Sequence, residues 1–407
     1  LQAGWQPAGE SDRRLFQELS ACGVTPADPQ TFFTGLDLPP ACLGATLHLS
    51  GRFNEIAFAP HQPWLAIATG SRKVILWDYQ QGILHTTLRG FQHSVANLAF
   101  LEDGRLVCAE RSRKDERCEL YLWDNGELRA FGAHTGAVTE LAIPGPGRCL
   151  SAGRDGQVIL WDVDICRPIS SCTLSAWPRS LCIREDGAQL LAVHSQAELY
   201  NLPGLEHVTT FPLLRDAQKR DSIGRRSVFL PGGSRAVVAQ NNGQIAAYSL
   251  PDGPAKWVGR LPTPAAGLHV VPSRNMLLAA GMGGNVFFYA TEGLEGEGSL
   301  VSPIPQLTSL HVSPDDRLMA VSSSLAHIGL WDLRLGDLPT LFAMPLALSG
   351  TGAVATYRSL LACSSLPGAL RPILAFGAAL LQHRFRFEIQ LGDLPLVSPG
   401  EFDILID

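Results

Sequence analysis

The chain has 407 residues, of which 46% are hydrophobic and 17% charged, a composition that excludes a disordered protein and predicts a large buried core. Its formal net charge of −6 removes the general electrostatic attraction that nucleic-acid and anionic-membrane binding usually need. The 40 glycines and 28 prolines are spread along the whole chain, which is typical of many short elements joined by turns. We therefore expect a turn-rich all-β protein that does not bind membranes, and that binds nucleic acid only if a local basic patch reverses this balance.

The nine cysteines form no CxxC pair, and no pair of histidines stands at zinc-finger spacing. An odd number of cysteines favours reduced thiols and hence a reducing compartment, so we expect a cytoplasmic location. The longest apolar run near the C-terminus, PILAFGAALL at 372–381, is shorter than the roughly 18 residues that a transmembrane helix requires. No secretory leader is expected at the polar N-terminus. Because the chain begins at Leu1, it is left open whether it is a fragment of a longer protein.

Residues 1–44 are predicted to form a separate N-terminal cap. In the segment SDRRLFQELSACG, Ser11 is a candidate N-cap, and Leu15 and Leu19 stand four residues apart on one face of a short amphipathic helix. The segment ATLHLS at 45–50 then has the alternating pattern of a strand.

Residues 45–348 contain seven variants of one repeated unit. The phrase GRDGQVILWDVD at 153–164 has close relatives in KVILWDY, ELYLWDN and HIGLWDL. Alternating apolar residues and tight-turn signals predict four short strands in each unit. The aromatic residues that close the units follow one another every 38 to 48 positions, at Trp77, Trp123, Trp161, Tyr200, Tyr248, Tyr289 and Trp331. A period near 40 residues is typical of a propeller in which each unit forms one blade.

This pattern resembles the WD-repeat family of β-propellers over about residues 45–345, with four literal Trp-Asp dipeptides. The resemblance implies an all-β propeller of four-stranded blades, in which an N-terminal strand completes the last blade. Seven blades are favoured, with residues 349–407 as a C-terminal extension. An eighth blade built from 349–407 is the alternative, because GAVATY, SLLACSS and HRFRFEIQL are possible strands.

In the WD-repeat family a Trp, a strand Ser or Thr, an upstream His and a turn Asp form a hydrogen-bonded set that locks a blade. The third unit matches this set with His134, Ser151, Asp155 and Trp161, and the resemblance implies that these four residues form a structural blade lock. A Ser-His-Asp catalytic triad is rejected, because the family pattern accounts for the same residues and no GxSxG motif occurs.

The search for other chemistry predicts no catalytic residues, no cofactor and no metal. The glycine-rich segment GMGGN at 281–285 stands between two predicted strands rather than before a helix, and no GxxxxGK[ST] motif occurs. The eleven histidines form no HExxH motif.

Two charged insertions interrupt the short loops. The first, ERSRKDERCE at 110–119, has mixed charge and is predicted to be a solvated hairpin extension. The second, LRDAQKRDSIGRR at 214–226, is predicted to join the fourth and fifth units as a basic loop. It is either plain surface or a contact for an acidic peptide or phosphate of a partner. The candidate contact residues are Arg215, Lys219, Arg220, Arg225 and Arg226.

The functional hypothesis is a non-catalytic WD-repeat scaffold that mediates protein–protein interactions within a larger complex or multidomain chain. The alternative is a propeller enzyme or small-ligand sensor that uses the central funnel, and its mark would be convergent polar side chains with perturbed pKa values around the ring axis. A third hypothesis, a nucleic-acid adaptor, requires the 214–226 cluster to join other cations in space.

Overall fold

The computed structural model describes residues 42–48 and 52–333, apart from 80–82, 113, 115, 216–221, 252–254, 303 and 305. The helix predicted in SDRRLFQELSACG and the extension or eighth blade predicted for 349–407 lie outside the described residues. Within the described part of the chain, no helix has the length and apolarity that crossing a bilayer requires. The helical structure assigned there is a single 3-10 turn, Pro272–Arg274.

The described residues form seven four-stranded sheets, which confirms the prediction of an all-β propeller with seven blades. In chain order the strands are β1 (Cys42–His48), β2 (Phe53–Phe58), β3 (Trp64–Thr69), β4 (Val74–Asp78), β5 (Ile83–Leu88), β6 (Ser94–Phe100), β7 (Leu106–Arg111), β8 (Cys118–Asp124), β9 (Glu127–His134), β10 (Val138–Gly145), β11 (Arg148–Gly153), β12 (Gln157–Asp162), β13 (Arg167–Thr173), β14 (Ser180–Ile183), β15 (Gln189–Val193), β16 (Gln196–Asn201), β17 (Glu206–Pro212), β18 (Gly224–Phe229), β19 (Arg235–Gln240), β20 (Gln244–Ser249), β21 (Ala255–Arg260), β22 (Ala265–Val271), β23 (Met276–Gly281), β24 (Asn285–Ala290), β25 (Gly296–Val301), β26 (Leu307–Val312), β27 (Leu318–Ser323) and β28 (His327–Asp332).

Each of the first six blades is a meander of four consecutive strands, from β2-β3-β4-β5 in blade 1 to β22-β23-β24-β25 in blade 6. The seventh sheet has the order β1-β28-β27-β26, so the N-terminal strand supplies its outermost position. That strand spans Cys42–His48, slightly before the 45–50 predicted from the sequence. Two compact units are distinguished, and residues 48–328, with blades 1 to 6 and strands β26 and β27 of blade 7, belong to the larger.

The middle strands of the blades are buried on both faces, although alternation alone would predict one buried face. All five residues of Val74–Asp78 are buried, and so are Val158 to Trp161 in β12. Both faces are covered because each blade stands between two neighbours, and the hydrophobic clusters lie between blades. One cluster, for example, joins Leu76 of blade 1 to Trp123 of blade 2. The outermost strands are mostly exposed, as in Arg167–Thr173.

The first strand of every blade is its inner strand. Each inner strand contacts that of the next blade, from β2 through β6, β10, β14, β18 and β22 to β26, and β26 contacts β2. The ring is therefore closed within residues 48–328. His311 of blade 7 and Glu55 of blade 1 face each other at this closure, with 2.9 Å between His311 Nε2 and Glu55 Oε1.

Candidate functional site

The inner strands carry β-bulges near their starts. A register shift marks the bulge in six of the seven described blades, at Asn54, Ala96, Thr139, Arg225, Ala266 and Thr308. A bulge leaves one residue out of the ladder and turns its side chain away from the regular alternation. In blade 4, Arg179 holds the corresponding place immediately before β14. Several of these residues, Asn54, Thr139, Arg179 and Arg225 among them, line one cavity on the axis of the ring.

This cavity has a volume of about 240 Å³, and Glu55 is the one carboxylate among its lining residues, all of which belong to the described chain. The lining includes six arginines: Arg52, Arg111, Arg154, Arg179, Arg225 and Arg226. We call this cavity the channel mouth.

Topology explains why arginines from different strands meet at the channel mouth. The second strand of a blade runs antiparallel to the first, so it ends at the same edge of the ring at which the inner strand begins. Arg111 at the end of β7 and Arg154 in the turn after β11 therefore reach the starts of the inner strands. Arg111 and Arg154 are exposed, whereas Arg225 and Arg226 are half-buried.

Trp177 lies beside two of these arginines, in the connection between blades 3 and 4. The guanidinium carbon of Arg179 is 4.3 Å from the centre of the indole ring, and that of Arg154 is 5.4 Å from it. Both distances are in the range of cation–π attraction. Burial, and then the nearby charge of Arg154, lower the pKa of Arg179.

Arg225 and Arg226 are held by the backbone of the next blade. Arg225 Nε donates to the carbonyl oxygen of Ala265 and Arg226 Nε to that of Ala266, both at 3.0 Å. Burial, followed by the charges of Arg226 and Arg179, lowers the pKa of Arg225. The fold thus holds like charges close together and partly removed from water.

Two carboxylates near these arginines, those of Glu55 and Glu140, have pKa values shifted in opposite directions. Burial would raise the pKa of Glu55, but the hydrogen bond with His311 and the charge of that imidazole bring it below its usual value. Burial raises the pKa of Glu140 to about 7, although Arg226 opposes this shift. One Glu140 carboxylate oxygen lies 3.9 Å from Arg226 Nη1. Glu140 is therefore poised to change its charge near neutral pH, whereas Glu55 stays ionised.

The structure brings together the four residues of the expected blade lock in blade 3. His134 Nδ1 lies 3.0 Å from Asp155 Oδ2, and His134 Nε2 lies 2.7 Å from Ser151 Oγ. The indole N–H of Trp161 donates to the same Ser151 oxygen at 2.8 Å. The network is satisfied when the histidine carries its proton on Nδ1 and the serine hydroxyl donates to Nε2.

Two backbone hydrogen bonds to Asp155 complete this set. Gly153 is a fifth member, which the sequence analysis did not predict. Asp155 also accepts from the backbone N–H groups of Thr135 and Gln157, at 3.0 and 3.1 Å. Gly153 leaves room for the set, because a Cβ at this position would lie 2.8 Å from His134 Cγ. The glycine that opens GRDGQ in the third unit is the sequence signal for this requirement.

Blades 1 and 2 have a tryptophan at the position of Trp161, but they lack the serine that accepts a hydrogen bond from its indole N–H. The indole nitrogens of Trp77 and Trp123 are buried and have no hydrogen-bond partner. Trp77 pairs with Leu65 and Trp123 with Leu106, as Trp161 pairs with Cys149. The residue two positions further along the strand is Ser151 in blade 3, but it is Ile67 in blade 1 and Cys108 in blade 2, neither of which satisfies the N–H.

Blade 4 has a different polar set, which sequence reasoning missed. Glu198 accepts hydrogen bonds from the hydroxyl groups of Tyr200 at 2.5 Å and Ser175 at 2.8 Å, and its Oε1 lies 2.8 Å from His194 Nε2. The hydrogen bond with His194 is the largest cause that lowers the pKa of Glu198 to about 2. Burial and Glu198 raise the pKa of Tyr200.

Blade 2 has a third arrangement of buried polar groups, which the sequence analysis also did not predict. Glu110, in the charged insertion, is fully buried and accepts from the backbone N–H groups of Gln92, His93 and Glu119. The sequence carried one sign of these two arrangements. Glu110 in blade 2 and His194 in blade 4 stand at the position that corresponds to Gly153 in blade 3, so a polar residue replaces the glycine there.

The basic cluster predicted at 214–226 is divided in the structure. Arg215 is exposed, and Lys219 and Arg220 lie outside the described residues. Arg225 and Arg226 belong to β18 rather than to a loop, and they face the channel mouth. There they join arginines from blades 1 to 4, so the charges gather on the axis of the ring.

The channel mouth can bind an anion, because guanidinium groups present several N–H donors in a fixed fork. Within the described ranges, no three His, Cys, Asp or Glu side chains are grouped as a metal site would need. Ser151 faces Trp161 and His134 with none of its surface exposed, so no substrate reaches its hydroxyl in this conformation.

The model for the family described as WD domain, G-beta repeat, matches residues 125–162, the stretch that contains His134, Ser151, Asp155 and Trp161. Telomerase protein component 1 of Rattus norvegicus is 36% identical over 144 residues, which are 34% of this chain and 5% of that protein. Nuclear distribution protein nudF 1 of Talaromyces marneffei is 28% identical over 138 residues, or 33% of this chain and 30% of that protein. Autophagy-related protein 16 of Arabidopsis thaliana is 23% identical over 177 residues, or 42% of this chain and 34% of that protein. The chain thus spans about a third or less of the length of each of these relatives.

Proposed function

We propose that this chain, which belongs to the WD-repeat β-propeller family, is a non-catalytic scaffold that binds protein partners within a larger complex or multidomain chain. One relative is by its name a component of telomerase, which supports a role of such propellers within assemblies. Because the match covers 5% of that protein, its partners are not transferred to this chain.

The observation that carries the proposal is a set of exposed apolar side chains on the outermost strands. Ile83 and Leu84 of β5 are 52% and 49% exposed, and Trp257 of β21 is 50% exposed. An outermost strand also leaves one row of its backbone groups unpaired, which favours contact with another chain. Tryptophan is enriched among the residues that dominate binding energy at protein interfaces. Strands β5 and β21 therefore offer partners two separate apolar contacts on the circumference of the propeller.

A cytoplasmic location fits the state of the cysteines. The six that the structure describes individually are free thiols: Cys108, Cys118, Cys149, Cys166, Cys172 and Cys182. Burial raises the pKa of the Cys149 and Cys182 thiols to about 12, so these thiols stay protonated and unreactive at neutral pH. Free, inert thiols of this kind are typical of a reducing compartment.

The alternative of a small-ligand sensor is favoured by the channel mouth, where convergent polar side chains have shifted pKa values. Glu140 and Arg225 are the clearest of them. This surface is separate from the outermost strands, so the two functions are compatible in one molecule.

The scaffold is tested by affinity purification from lysate of the source cells, comparing the intact chain with the double variant Leu84→Ser and Trp257→Ser. We expect a protein partner to co-purify with the intact chain and its yield to fall at least tenfold with the double variant, since a buried tryptophan anchor contributes about 2 kcal/mol or more. The control is Ile165→Ser, which removes an exposed isoleucine from the turn that precedes β13. Equal yields from all three chains would show that partners do not bind at Leu84 and Trp257. The absence of any co-purified partner would contradict the proposed scaffold function.

A further inference from the structure

The channel mouth gathers arginines from several blades around one small cavity. Six arginines and one carboxylate line it, in a protein whose formal net charge is −6. The arginines come from five blades, so their convergence depends on the closed ring and not on a basic run in the sequence. Like charges that are held together oppose folding, and such a cost is typical of a functional site.

The two nearby carboxylates of the described chain, Glu55 and Glu140, leave Arg179 and Arg225 without an acidic partner. Glu55 is paired with His311 at 2.9 Å, and Glu140 lies 3.9 Å from Arg226. Among the described residues, no carboxylate oxygen stands within 4 Å of a guanidinium nitrogen of Arg179 or Arg225. An anion that entered the channel mouth would therefore meet arginines whose charge the protein leaves unbalanced.

The arginines are also preorganised. The hydrogen bond from Arg225 Nε to Ala265 fixes its guanidinium plane, and Trp177 lies against that of Arg179 at 4.3 Å. The bulge at Arg225 turns this side chain toward the axis. Side chains that are fixed before binding lose little entropy when the ligand arrives.

From this arrangement we infer that the channel mouth binds a small phosphate-bearing anion, held by Arg179 and Arg225 with Arg52 and Arg226 beside them. Arginine matches the geometry of phosphate oxygens with two parallel N–H donors. A volume of about 240 Å³ lies below the roughly 300 to 1,000 Å³ of sites for drug-sized molecules, so the site suits one or two phosphate groups better than a whole cofactor.

Nucleic acid fits the same arginines less well. A strand of RNA or DNA needs a groove that follows several phosphates, with aromatic rings on which bases stack. Here the arginines surround one small cavity, and Trp177 is already in contact with Arg179 and Arg154. We therefore favour a single small anion.

The test measures thermal unfolding and calorimetric binding of the full chain with inorganic pyrophosphate, with ATP and with a single-stranded oligonucleotide. Sodium chloride at equal ionic strength serves as the control for salt. We expect pyrophosphate to raise the melting temperature in proportion to its occupancy, because a ligand that binds the folded state stabilises it. If ATP binds no more tightly than pyrophosphate, the ligand is recognised by its phosphates alone; if it binds at least tenfold more tightly, the ligand is a phosphate ester.

The double variant Arg179→Ser and Arg225→Ser is expected to weaken pyrophosphate binding at least tenfold. Its melting temperature without ligand should equal or exceed that of the parent chain, because the repulsion is relieved, and this separates lost binding from lost folding. The matched control, Arg129→Ser with Arg167→Ser, removes two exposed arginines from β9 and β13 and should bind as the parent does.

Three results would overturn the inference: no binding of pyrophosphate or ATP to the parent chain, equal binding to both double variants, or binding of the oligonucleotide alone.

Discussion

The indole N–H of Trp161 donates a hydrogen bond to Ser151 Oγ across 2.8 Å in the interior of blade 3. The same oxygen lies 2.7 Å from His134 Nε2, so one buried hydroxyl satisfies two polar groups. Blades 1 and 2 have a tryptophan at the same place without this partner. The difference predicts that blade 3 depends on Ser151 more than on a typical buried serine.

Ser151→Ala is expected to lower the free energy of unfolding by about 2 kcal/mol or more, because it leaves the indole N–H and the imidazole nitrogen without a partner at about 1 to 3 kcal/mol each. Urea denaturation of the two chains measures the difference. Ser171→Ala, on the exposed outer strand β13, is the control and should change stability by less than about 0.5 kcal/mol. A loss no greater than that of the control would show that the four residues do not act as a blade lock.

Gly267 on the inner strand of blade 6 permits close contact with blade 7. A Cβ at this position would lie 2.8 Å from the backbone nitrogen of Leu310, which cannot move aside as a side chain can. Gly267→Ala is therefore expected to destabilise the protein by about 1 to 3 kcal/mol. Gly296→Ala is the matched control, since its Cβ would meet no heavy atom within 4 Å. Equal denaturation midpoints for the two variants would contradict this account of the contact.

The carboxylate of Glu198 predicts a loss of stability in acid. Its pKa is about 2 in the folded protein against an ordinary value of 4.5, so the folded state favours the ionised form. The stability that this provides is complete above pH 4.5 and is lost as the pH falls toward 2. Glu198→Gln should therefore show a weaker decrease in melting temperature between pH 5 and pH 2 than the parent chain. The exposed Glu127→Gln should behave as the parent, and parallel pH profiles for all three chains would refute the assignment.

Glu140 predicts the opposite dependence. Its pKa is raised to about 7 from an ordinary 4.5, so the folded state favours the neutral form. Stability is unaffected below pH 4.5, and it falls as the pH rises from there through 7. Glu140→Gln stays neutral, and we expect it to be more stable than the parent chain at pH 8 and equally stable at pH 4. A variant that is less stable at pH 8 would mean that the ionised Glu140 stabilises Arg226 more than burial penalises it.

Much of the fold could be predicted because each sequence repeat corresponds to one blade. The spacing of Trp77, Trp123 and Trp161 fixes the length of a blade, and the turn signals between them fix the strands. The four residues of blade 3 could also be named from the sequence, because the resemblance to the WD-repeat family pointed to them; that they lock the blade stays a prediction. Blades 2 and 4 use Glu110 and Glu198 instead, and no single sequence pattern connects these two residues.

The channel mouth could not be predicted for a different reason. Arg225 and Arg226 stand beside other charges in the sequence, which favours a solvated loop, and only the bulge in β18 turns them toward the axis. Arg52, Arg111, Arg154 and Arg179 stand far apart along the chain. Their meeting depends on the closure of the ring, which brings the starts of all inner strands to one edge.

The most direct test of the scaffold is the native size of the chain in lysate of the source cells, measured by size-exclusion chromatography beside the purified chain. The account predicts that the chain in lysate elutes earlier than the purified chain, and that mass spectrometry identifies at least one other protein in the same fractions at a fixed ratio. Identical elution of the two samples, with no protein at a fixed ratio, would contradict it.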